Sequence, residues 1–480
     1  MIIPHSSHRW LLAAIAGGLL LLSAGCDPKD WVCWAPDGQH ALLRGSDDTW
    51  LVDASGKILG KATDARAWFP DSRHVIAIRA VKPQSWDEYA QLLSPEGTAK
   101  TIEAAGSLRE LMRAYQGDWT KFGESEPYKT WEKTEVGEDY NDDWLRQSVA
   151  LFLEQTDPQL LAPFLKTNSI PVDDLLPKIH EVLIRNALPT DPPSEQLLGR
   201  FPMEISQVRV SPNGKVVAVV AIEPERPALY AMPVAVSTSN SLKVVDQGIV
   251  SIDWSTDSQN LVYAKATVPY KLLDESTQLG TITSRRVCAP DGQLLPAFEP
   301  AKDLAGILLG NDALPHVACL PDGRILFAAA PVHLPAVTAD MPSHLTLYAL
   351  RSFPTPALES VVRPEDVARL PERVDCFTLS PDKKKVAMVN SQGHVSVLFL
   401  DSGELRPLQE TDVYPDSGKY TPLIPGWRNA DEVTCVVPGG DAAGSATRAQ
   451  VVLVNVNGQK TAISTAWPDT VVKGLLLPND

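Results

Sequence analysis

The sequence predicts a mainly β fold, a seven-bladed β-propeller that is interrupted once by a helical insertion. Three observations predict it: a turn motif that recurs along the chain, a second kind of turn that alternates with it, and one interval far longer than a blade requires. The 480 residues include 40 prolines and 29 glycines, which indicates a chain with many turns.

The recurring motif is a β-rich run, a Pro-Asp-Gly-like turn and a second β-rich run. Proline presets the backbone for the turn, Asp or Asn bonds back to nearby backbone, and Gly accepts positive φ. The β-branched and aromatic residues on either side favour strands. Seven such hairpins are predicted, the last being the weakest match, at residues 31–43, 65–78, 207–220, 250–263, 316–327, 374–389 and 423–437.

A second turn follows in the later half of most units, at residues 50–59, 92–98, 287–295, 395–405 and 452–460. Two hairpins per unit make four antiparallel strands, which is one propeller blade. Residues 216–220 and 386–389 are apolar throughout, as expected for strands covered on both faces. Six or eight blades would result if the weak seventh unit failed or if residues 288–292 began another blade. A β-sandwich with ordinary turns is the alternative fold.

The motif resembles the WSPDG repeat of TolB-like, WD40-like β-propellers, over most of residues 27–465. The resemblance implies blades around a central channel. In this reading residues 26–103 form blades one and two, residues 201–465 form blades three to seven, and residues 466–480 form a C-terminal tail.

Residues 104–200 are predicted to be the helical insertion, between blades two and three. Ser107 and Glu110 make a capping-box pattern, Asn141 can cap a second helix, and residues 171–183 carry apolar residues at helical spacing. The apolar faces would pack on each other or on the propeller rim, or would form a groove for a partner. The acidic stretch 124–143 is either a solvated linker or an acidic docking patch.

The first 25 residues are typical of a secretory signal peptide. A polar start leads into an apolar run at 10–22, which is short for a membrane span, and Ser23, Ala24 and Gly25 precede Cys26. Residues 22–26 resemble the lipobox of bacterial lipoproteins. That resemblance implies diacylglycerol on the Cys26 thiol and cleavage just before this residue. An uncleaved anchor with an incidental cysteine is the alternative.

Lipid on Cys26 would make the membrane the first predicted partner and would place the chain in the cell envelope, facing the periplasm or the cell exterior. Asp27 resembles the retention signal of enterobacterial lipoproteins, which favours the inner membrane. The formal net charge of −16 argues against nucleic acid as a partner, because phosphate binding calls for basic patches.

The remaining cysteines show no CxxC spacing of a zinc or redox site. Four of the five lie in apolar, β-like runs and suit buried free thiols, although one disulfide would also fit an oxidising compartment. The five are Cys33, Cys288, Cys319, Cys376 and Cys435.

No catalytic constellation is predicted, and neither a cofactor nor a metal site is expected. The sequence contains no GxSxG elbow, no HExxH and no Walker loop. His180 flanks the apolar face of a predicted helix and is interpreted as a packed or surface residue. The other histidines considered, which are too scattered to pair as ligands, are His316, His333, His344 and His394. Turn capping accounts for the repeated Asp37, Asp71, Asp257, Asp322 and Asp382.

Two function classes remain open, and the sequence identifies no ligand-binding residue for either. The first is a binding or scaffolding propeller at the membrane surface, with a protein or envelope component as its partner. The second is a propeller hydrolase or lyase with its site in the central channel. A channel ringed by His, Asp and Glu would favour the enzyme.

Overall fold

The structure is a computed structural model. It describes residues 32–44, 48–83, 92, 126, 178–222, 228–235, 244–268, 277–288, 293–298, 307–310, 317–331, 346–351, 357–362, 376–389, 394–409, 425–438 and 449–463.

Five separate antiparallel sheets contain four strands each, paired in chain order. Sheet 1 consists of β1 (Val32–Trp34), β2 (His40–Arg44), β3 (Thr49–Asp53) and β4 (Ile58–Lys61). Sheet 2 consists of β5 (Ala65–Trp68), β6 (His74–Val81), β7 (Ile179–Asn186) and β8 (Glu195–Phe201). Sheet 3 consists of β9 (Ile205–Val210), β10 (Val216–Ala221), β11 (Ala228–Pro233) and β12 (Val244–Gln247).

Sheet 4 has nine strands. They are β13 (Ile249–Trp254), β14 (Asn260–Val268), β15 (Thr277–Cys288), β16 (Gln293–Phe298), β17 (Ile307–Gly310), β18 (Val317–Cys319), β19 (Ile325–Pro331), β20 (Thr346–Arg351) and β21 (Ala357–Ser360). Strands β13–β16 pair in chain order, as do β18–β21, and β17 joins the two groups by pairing with β15 and β19.

The last two sheets again have four strands. Sheet 5 consists of β22 (Cys376–Leu379), β23 (Lys385–Val389), β24 (Val395–Phe399) and β25 (Glu404–Gln409). Sheet 6 consists of β26 (Gly426–Trp427), β27 (Glu432–Pro438), β28 (Ala449–Asn455) and β29 (Lys460–Ala462).

The sheets form a closed ring, which makes the fold a β-propeller. The first strands of neighbouring sheets lie side by side, β1 beside β5, β5 beside β9 and β9 beside β13, and β26 contacts β1 to close the circle. Apolar clusters fill the spaces between neighbouring sheets. Strand β10 shows this, since all six of its residues are buried. Its Val217 and Val219 pack toward sheet 2, whereas Val216 and Val220 pack toward sheet 4. The prediction of strands that are apolar on both faces is confirmed.

The two ends of the ring are defined by strand direction. Each Pro-Asp-Gly-like turn joins the first two strands of a four-strand group, as predicted, and we call this side the turn end. The chain enters the first strands at the opposite side, which we call the entry end; Val32, Ala65 and Ile205 lie there. Cys288 pairs with Gln293, so residues 289–292 join a third strand to a fourth, also as predicted.

The predicted helical insertion is wrong in two respects. The helical spacing assigned residues 171–183 to a helix, but residues 179–183 lie in β7, and residues 195–201 form β8. The long interval therefore lies inside sheet 2, between its second and third strands, and not between two blades. The helices predicted at Ser107 and Asn141 lie outside the described residues, as does the stretch 124–143.

The predicted turn at 92–98 is wrong as the outer turn of the second unit. The third and fourth strands of sheet 2 are β7 and β8, and residues 187–194 connect them. Of the stretch 92–98 the structure describes only Leu92. The propeller domain boundary at residue 201 moves accordingly, since residues 178–200 belong to sheet 2.

Tryptophans at the end of the first strands join neighbouring sheets. Trp68 Nε1 donates to the carbonyl of Cys33 in sheet 1 at 2.9 Å, and Trp254 Nε1 donates to the carbonyl of Arg209 in sheet 3 at 3.1 Å. At the closure of the ring, Trp34 Nε1 donates to Thr434 Oγ1 of sheet 6 at 2.7 Å. The indole N–H of each of these tryptophans thus has an acceptor, and the same hydrogen bond links two sheets.

Two serines replace the turn glycine and make a further link. Ser72 and Ser258 have φ of 57° and 59°, the left-handed region in which glycine is usual. Ser72 Oγ accepts from the N–H of Asp37 at 3.0 Å, and Ser258 Oγ accepts from the N–H of Asn213 at 3.0 Å. Each serine therefore bonds the turn of the preceding sheet, which offsets the backbone cost of its own conformation.

Ser72→Ala is expected to lower the free energy of unfolding by about 1 kcal/mol, because the N–H of Asp37 loses its acceptor. Ser72→Gly should cost less, since glycine relieves the positive φ while losing the same bond. Chemical denaturation of both variants measures the difference. Ser55→Ala is the control, because its hydroxyl bonds only within its own turn, to Asp53. Equal losses for the two Ser72 variants would contradict the prediction.

Candidate binding site

The aspartates of the recurring turns are committed to their own turns. Each carboxylate or amide oxygen accepts from the backbone N–H two residues further on, at 2.8–3.2 Å. The acceptors are Asp37, Asp71, Asn213, Asp257, Asp322, Asp382 and Asn429. The interpretation of the repeated aspartates as turn caps is confirmed.

Polar side chains of the first strands join adjacent four-strand groups. Gln207 donates to the carbonyl of Val250 at 2.6 Å, and Thr378 Oγ1 donates to the carbonyl of Pro425 at 2.7 Å. Within sheet 4, Asp253 Oδ2 accepts from the N–H of Cys319 at 2.7 Å. These groups around the ring axis are therefore engaged in holding the ring together.

A cleft opens at the turn end between sheets 2 and 3, with a volume of about 370 Å³. Its apolar lining comes from Phe69, Pro70, Ile184 and Val234, and its polar lining from Asp71, His74, Gln196 and Asn213, with Gly214 completing the wall. A concave site with an apolar floor and a few polar groups is the usual form of a ligand site. Gln196 is held in place by donating to the carbonyl of Val234 at 3.0 Å.

Asp71 and His74 form a hydrogen-bonded pair in this cleft. His74 Nδ1 lies 2.6 Å from Asp71 Oδ2, and the His74 ring meets Phe69 edge-on at 6.3 Å. Burial acts to raise the pKa of Asp71, but the hydrogen bonds from the Arg73 N–H and from His74 outweigh it, so the pKa is lowered. His74 is a cleft residue that the sequence motifs did not indicate. The sequence signal that could have indicated His74 is its position three residues after the turn aspartate, because this spacing lets the imidazole ring contact the Asp71 carboxylate.

A charge network crosses sheet 2 on the surface that faces sheet 1. Glu181 is buried at 4% exposure, and its carboxylate lies 2.6 Å from Arg79 and 2.9 Å from Arg200. Glu195 bridges Arg79 at 3.0 Å and Arg185 at 2.8 Å. Arg79 pairs with Glu181, Glu181 with Arg200, and Arg185 with Glu195 in the strand register, so register brings these opposite charges together. Only the contact between Arg79 and Glu195 is diagonal.

Burial acts to raise the pKa of Glu181, but the hydrogen bond from Arg79 and the charges of Arg200 and Arg79 outweigh it, so the pKa is lowered. A carboxylate whose pKa is lower in the folded state than in the unfolded state stabilises the fold above the unfolded value of about 4.3. This contribution is lost as the pH falls through the folded-state pKa.

Glu181→Gln is therefore expected to lower the free energy of unfolding at pH 7 by about 2 kcal/mol, because Arg79 and Arg200 both lose their ion pair with the buried Glu181 carboxylate. The difference from the unchanged protein should shrink below about pH 4, where Glu181 itself becomes protonated. Urea denaturation across this pH range tests the prediction. Glu195→Gln is the control, since that side chain is 41% exposed and should have a smaller effect. A deficit that persists at low pH would contradict the prediction.

The described histidines and cysteines that the sequence analysis considered are spread over several sheets. His180 lies half-buried on β7, where burial, Lys178 and Arg66 lower its pKa. His394 precedes β24, and His316, His333 and His344 lie outside the described residues. In the described part of the chain, no three His, Cys, Asp or Glu side chains group as metal ligands.

Two of the predicted buried thiols are confirmed. Cys319 and Cys435 are buried and reduced, and burial raises the pKa of the Cys435 thiol to about 12. Cys33 is half-buried, while the side chains of Cys288 and Cys376 lie outside the described set. The lipid-attachment residue Cys26 and the sorting residue Asp27 also precede the described residues. Within those residues no helix is long and apolar enough to cross a membrane.

The closed ring defines the class of this protein, a β-propeller. No protein-family model matches the chain, and no curated protein matches it. Among solved structures it is similar to TolB from Acinetobacter baumannii, at 15% identity over 58% of this chain and 58% of that chain, with a TM-score of 0.35. A Pyrococcus horikoshii acylaminoacyl peptidase matches at 14% identity over 59% and 41% of the two chains, with a TM-score of 0.34.

A puromycin-hydrolyzing peptidase of Mycobacterium tuberculosis matches at 15% identity over 59% of this chain and 43% of that chain, with a TM-score of 0.36. The match spans less than two thirds of each of these three structures. The activities in the names of the two peptidases belong to those proteins.

Proposed function

We propose that this chain is a bacterial lipoprotein, anchored through lipid on Cys26, whose propeller is a binding or scaffolding module for a protein or envelope partner. The cleft between sheets 2 and 3 is the observation that carries the binding role, because it combines an apolar floor with oriented polar groups. The partner would face the periplasm or the cell exterior, and Asp27 favours the inner membrane.

The topology supports an orientation with the cleft away from the membrane. The chain enters β1 at Val32, only six residues after Cys26, and six residues span at most about 20 Å. Lipid on Cys26 would hold the entry end near the bilayer. The cleft lies at the opposite, turn end, where a partner in the aqueous compartment can reach it.

We also propose that the ring has seven TolB-like blades, with sheet 4 supplying two of them. Strands β13–β16 and β18–β21 each repeat the four-strand order of the other sheets. In this reading β17 is an extra strand between the fourth and fifth blades.

Two measurements test the proposal. Cys26→Ser should leave a larger precursor that incorporates no labelled fatty acid. Continued labelling would show that the lipid is attached to another residue and would contradict the proposed anchor. For the cleft, Val234→Lys should abolish capture of the partner from detergent-solubilised membranes. Val244→Lys is the matched control, because Val244 is 44% exposed on the same sheet and does not line the cleft. Equal capture by both variants would remove the cleft from the binding surface.

A propeller hydrolase or lyase is the second candidate function. The propeller enzyme expected from the sequence would have its site in the central channel, whereas the observation that favours an enzyme is the Asp71–His74 pair in the cleft. A carboxylate that holds Nδ1 orients the imidazole so that Nε2 can act as a base. Hydrolase or lyase turnover by the purified chain that His74→Gln abolishes would favour this candidate over a binding role alone.

A further inference from the structure

The cleft between sheets 2 and 3 has an apolar floor that strand register builds. Ile184 of β7 pairs with Gln196 of β8, so both side chains lie on the face of sheet 2 that packs toward sheet 3. Phe69, the only phenyl ring in the described lining, is 6% exposed, whereas Pro70 and Val234 are more accessible. The described lining therefore suits a compact apolar side chain, because it offers no open aromatic face on which a sugar ring could stack.

The Asp71–His74 pair presents an acceptor to the cleft. The N–H groups of Arg73 and His74 donate to Asp71 Oδ1 at 2.9 and 3.0 Å, and His74 Nδ1 lies 2.6 Å from Oδ2. Because the pKa of Asp71 is lowered, this residue is a carboxylate at neutral pH, and His74 Nδ1 carries the proton between them. The Nε2 atom of the neutral imidazole is then a hydrogen-bond acceptor.

Each of the two amide side chains of the cleft has one end committed and one end left for a ligand. Gln196 Nε2 donates to the carbonyl of Val234 at 3.0 Å, which leaves Oε1 as an acceptor. Asn213 Oδ1 accepts from Ser211 Oγ at 2.8 Å and from the N–H of Lys215 at 3.0 Å, which leaves Nδ2 as a donor. Within the described residues, neither Oε1 of Gln196 nor Nδ2 of Asn213 has a hydrogen-bond partner.

The turn itself does not require the amide of Asn213. The recurring turn needs only an acceptor oxygen at this position, and five of the seven turns use Asp there. Asn429, the other amide, uses its Nδ2 within its own turn by donating to Glu432 at 2.6 Å. Asn213 is thus the turn residue whose amide donor has no role among the described residues, and it lines the cleft.

We propose that this cleft binds an uncharged peptide segment and takes one apolar side chain of that segment. A peptide group supplies an N–H for the acceptors of His74 and Gln196 and a carbonyl oxygen for Asn213 Nδ2, while the apolar floor takes the neighbouring side chain. An anionic ligand is disfavoured, because the described lining includes the Asp71 carboxylate and no lysine or arginine. The inference rests on the proposed binding role of the cleft and names the class of its ligand.

The test is a ligand-observed NMR titration of the detergent-solubilised full chain with matched peptides. The probes are acetyl-Ala-Leu-Ala-amide, the same peptide with a free carboxylate, acetyl-Ala-Gly-Ala-amide, and N-acetylglucosamine as a sugar. The neutral leucine peptide should bind roughly 10-fold more tightly than the glycine and carboxylate peptides, because only it combines a buried apolar side chain with no charge. Equal binding of the glycine peptide, tighter binding of the carboxylate peptide, or binding of the sugar alone would overturn the proposal.

Asn213→Asp is the variant that separates recognition from folding. It keeps the acceptor oxygen that the turn needs, in the form that most of the other turns use, but it replaces the Nδ2 donor by a carboxylate oxygen. Binding of the neutral leucine peptide should weaken roughly 3- to 10-fold, the loss expected for one hydrogen bond, while thermal unfolding is unchanged. Asn457→Asp is the matched control, because it makes the same charge change on an exposed turn of sheet 6. Equal losses in the two variants would mean that net charge governs binding, and would overturn the proposal.

Failure of this inference and failure of the proposed function give different results. If Val234→Lys abolishes capture of the partner while no peptide binds, the cleft remains the binding site and the peptide assignment is wrong. If the leucine peptide binds in a way that depends on Asn213 while Val234→Lys still captures the partner, the peptide assignment stands and the partner binds elsewhere on the ring.

Discussion

Deleting residues 104–200 is expected to abolish cooperative unfolding of the chain. The deletion removes β7 and most of β8, which are half of sheet 2. It takes away the fully buried Ile179, Val182 and Leu183 and exposes β6 along its whole paired edge. Each buried aliphatic side chain contributes about 2–5 kcal/mol, so even three approach the total stability of about 5–15 kcal/mol typical of a domain.

A shorter excision provides the control. Val81 at the end of β6 pairs with Ile179 at the start of β7, so the two strand ends are adjacent. Replacing residues 84–177 by a short Gly/Ser linker keeps all four strands of sheet 2, and shortening a loop costs little entropy. Urea denaturation followed by circular dichroism and tryptophan fluorescence should show one cooperative transition for this variant. Cooperative unfolding of the 104–200 deletion would contradict the assignment of β7 and β8.

Gly426→Ala is expected to open the junction between sheets 6 and 1. A Cβ at this position would lie 2.3 Å from the backbone oxygen of Val32 and 3.5 Å from Trp34 Cδ1. The first distance is far inside van der Waals contact, and the obstacle is backbone, so the two sheets must separate. Overpacking of this kind costs about 1–3 kcal/mol or more, and it would also strain the bond from Trp34 to Thr434.

Gly60→Ala is the matched control for the closure, because its added Cβ would meet only Pro189 Cγ at 3.9 Å. Denaturant midpoints of the two variants should differ clearly, with Gly60→Ala close to the unchanged protein. A Gly426→Ala variant as stable as the Gly60→Ala variant would mean that the ring does not close through β26 and β1.

The helix predicted at residues 171–183 is wrong for a physical reason. Leu175, Ile179, Val182 and Leu183 recur at helical spacing, but a strand that is covered on both faces is also apolar without alternation. Strand β7 is such a strand, since Ile179, Val182, Leu183 and Ile184 are all buried. Apolar spacing alone does not separate the two cases. Pro171, Asp173 and Asp174 precede the apolar residues, and because proline and acidic residues are common in the first turn of a helix, they favoured the helix.

The cleft was beyond sequence reasoning for a different reason. Its lining comes from turns and strands of two sheets, such as His74 and Gln196 of sheet 2 and Asn213 of sheet 3. Only the His74–Asp71 contact is local in sequence. The rest depends on how far sheets 2 and 3 are apart at the turn end, a distance set by the side chains packed between them.

The sequence by itself determined the repeating turns and the four-strand units, because proline, aspartate and glycine fix the backbone locally wherever they occur together. It also determined the double-sided burial of strands such as β10, because an apolar residue at every position leaves no face for water. Only the tertiary structure decided that the long interval lies within sheet 2, that Ser72 and Trp34 bond other sheets, and that Glu181 is buried against Arg79. Those features depend on contacts between residues distant in the chain, which form only when the sheets pack side by side and the last one closes on the first.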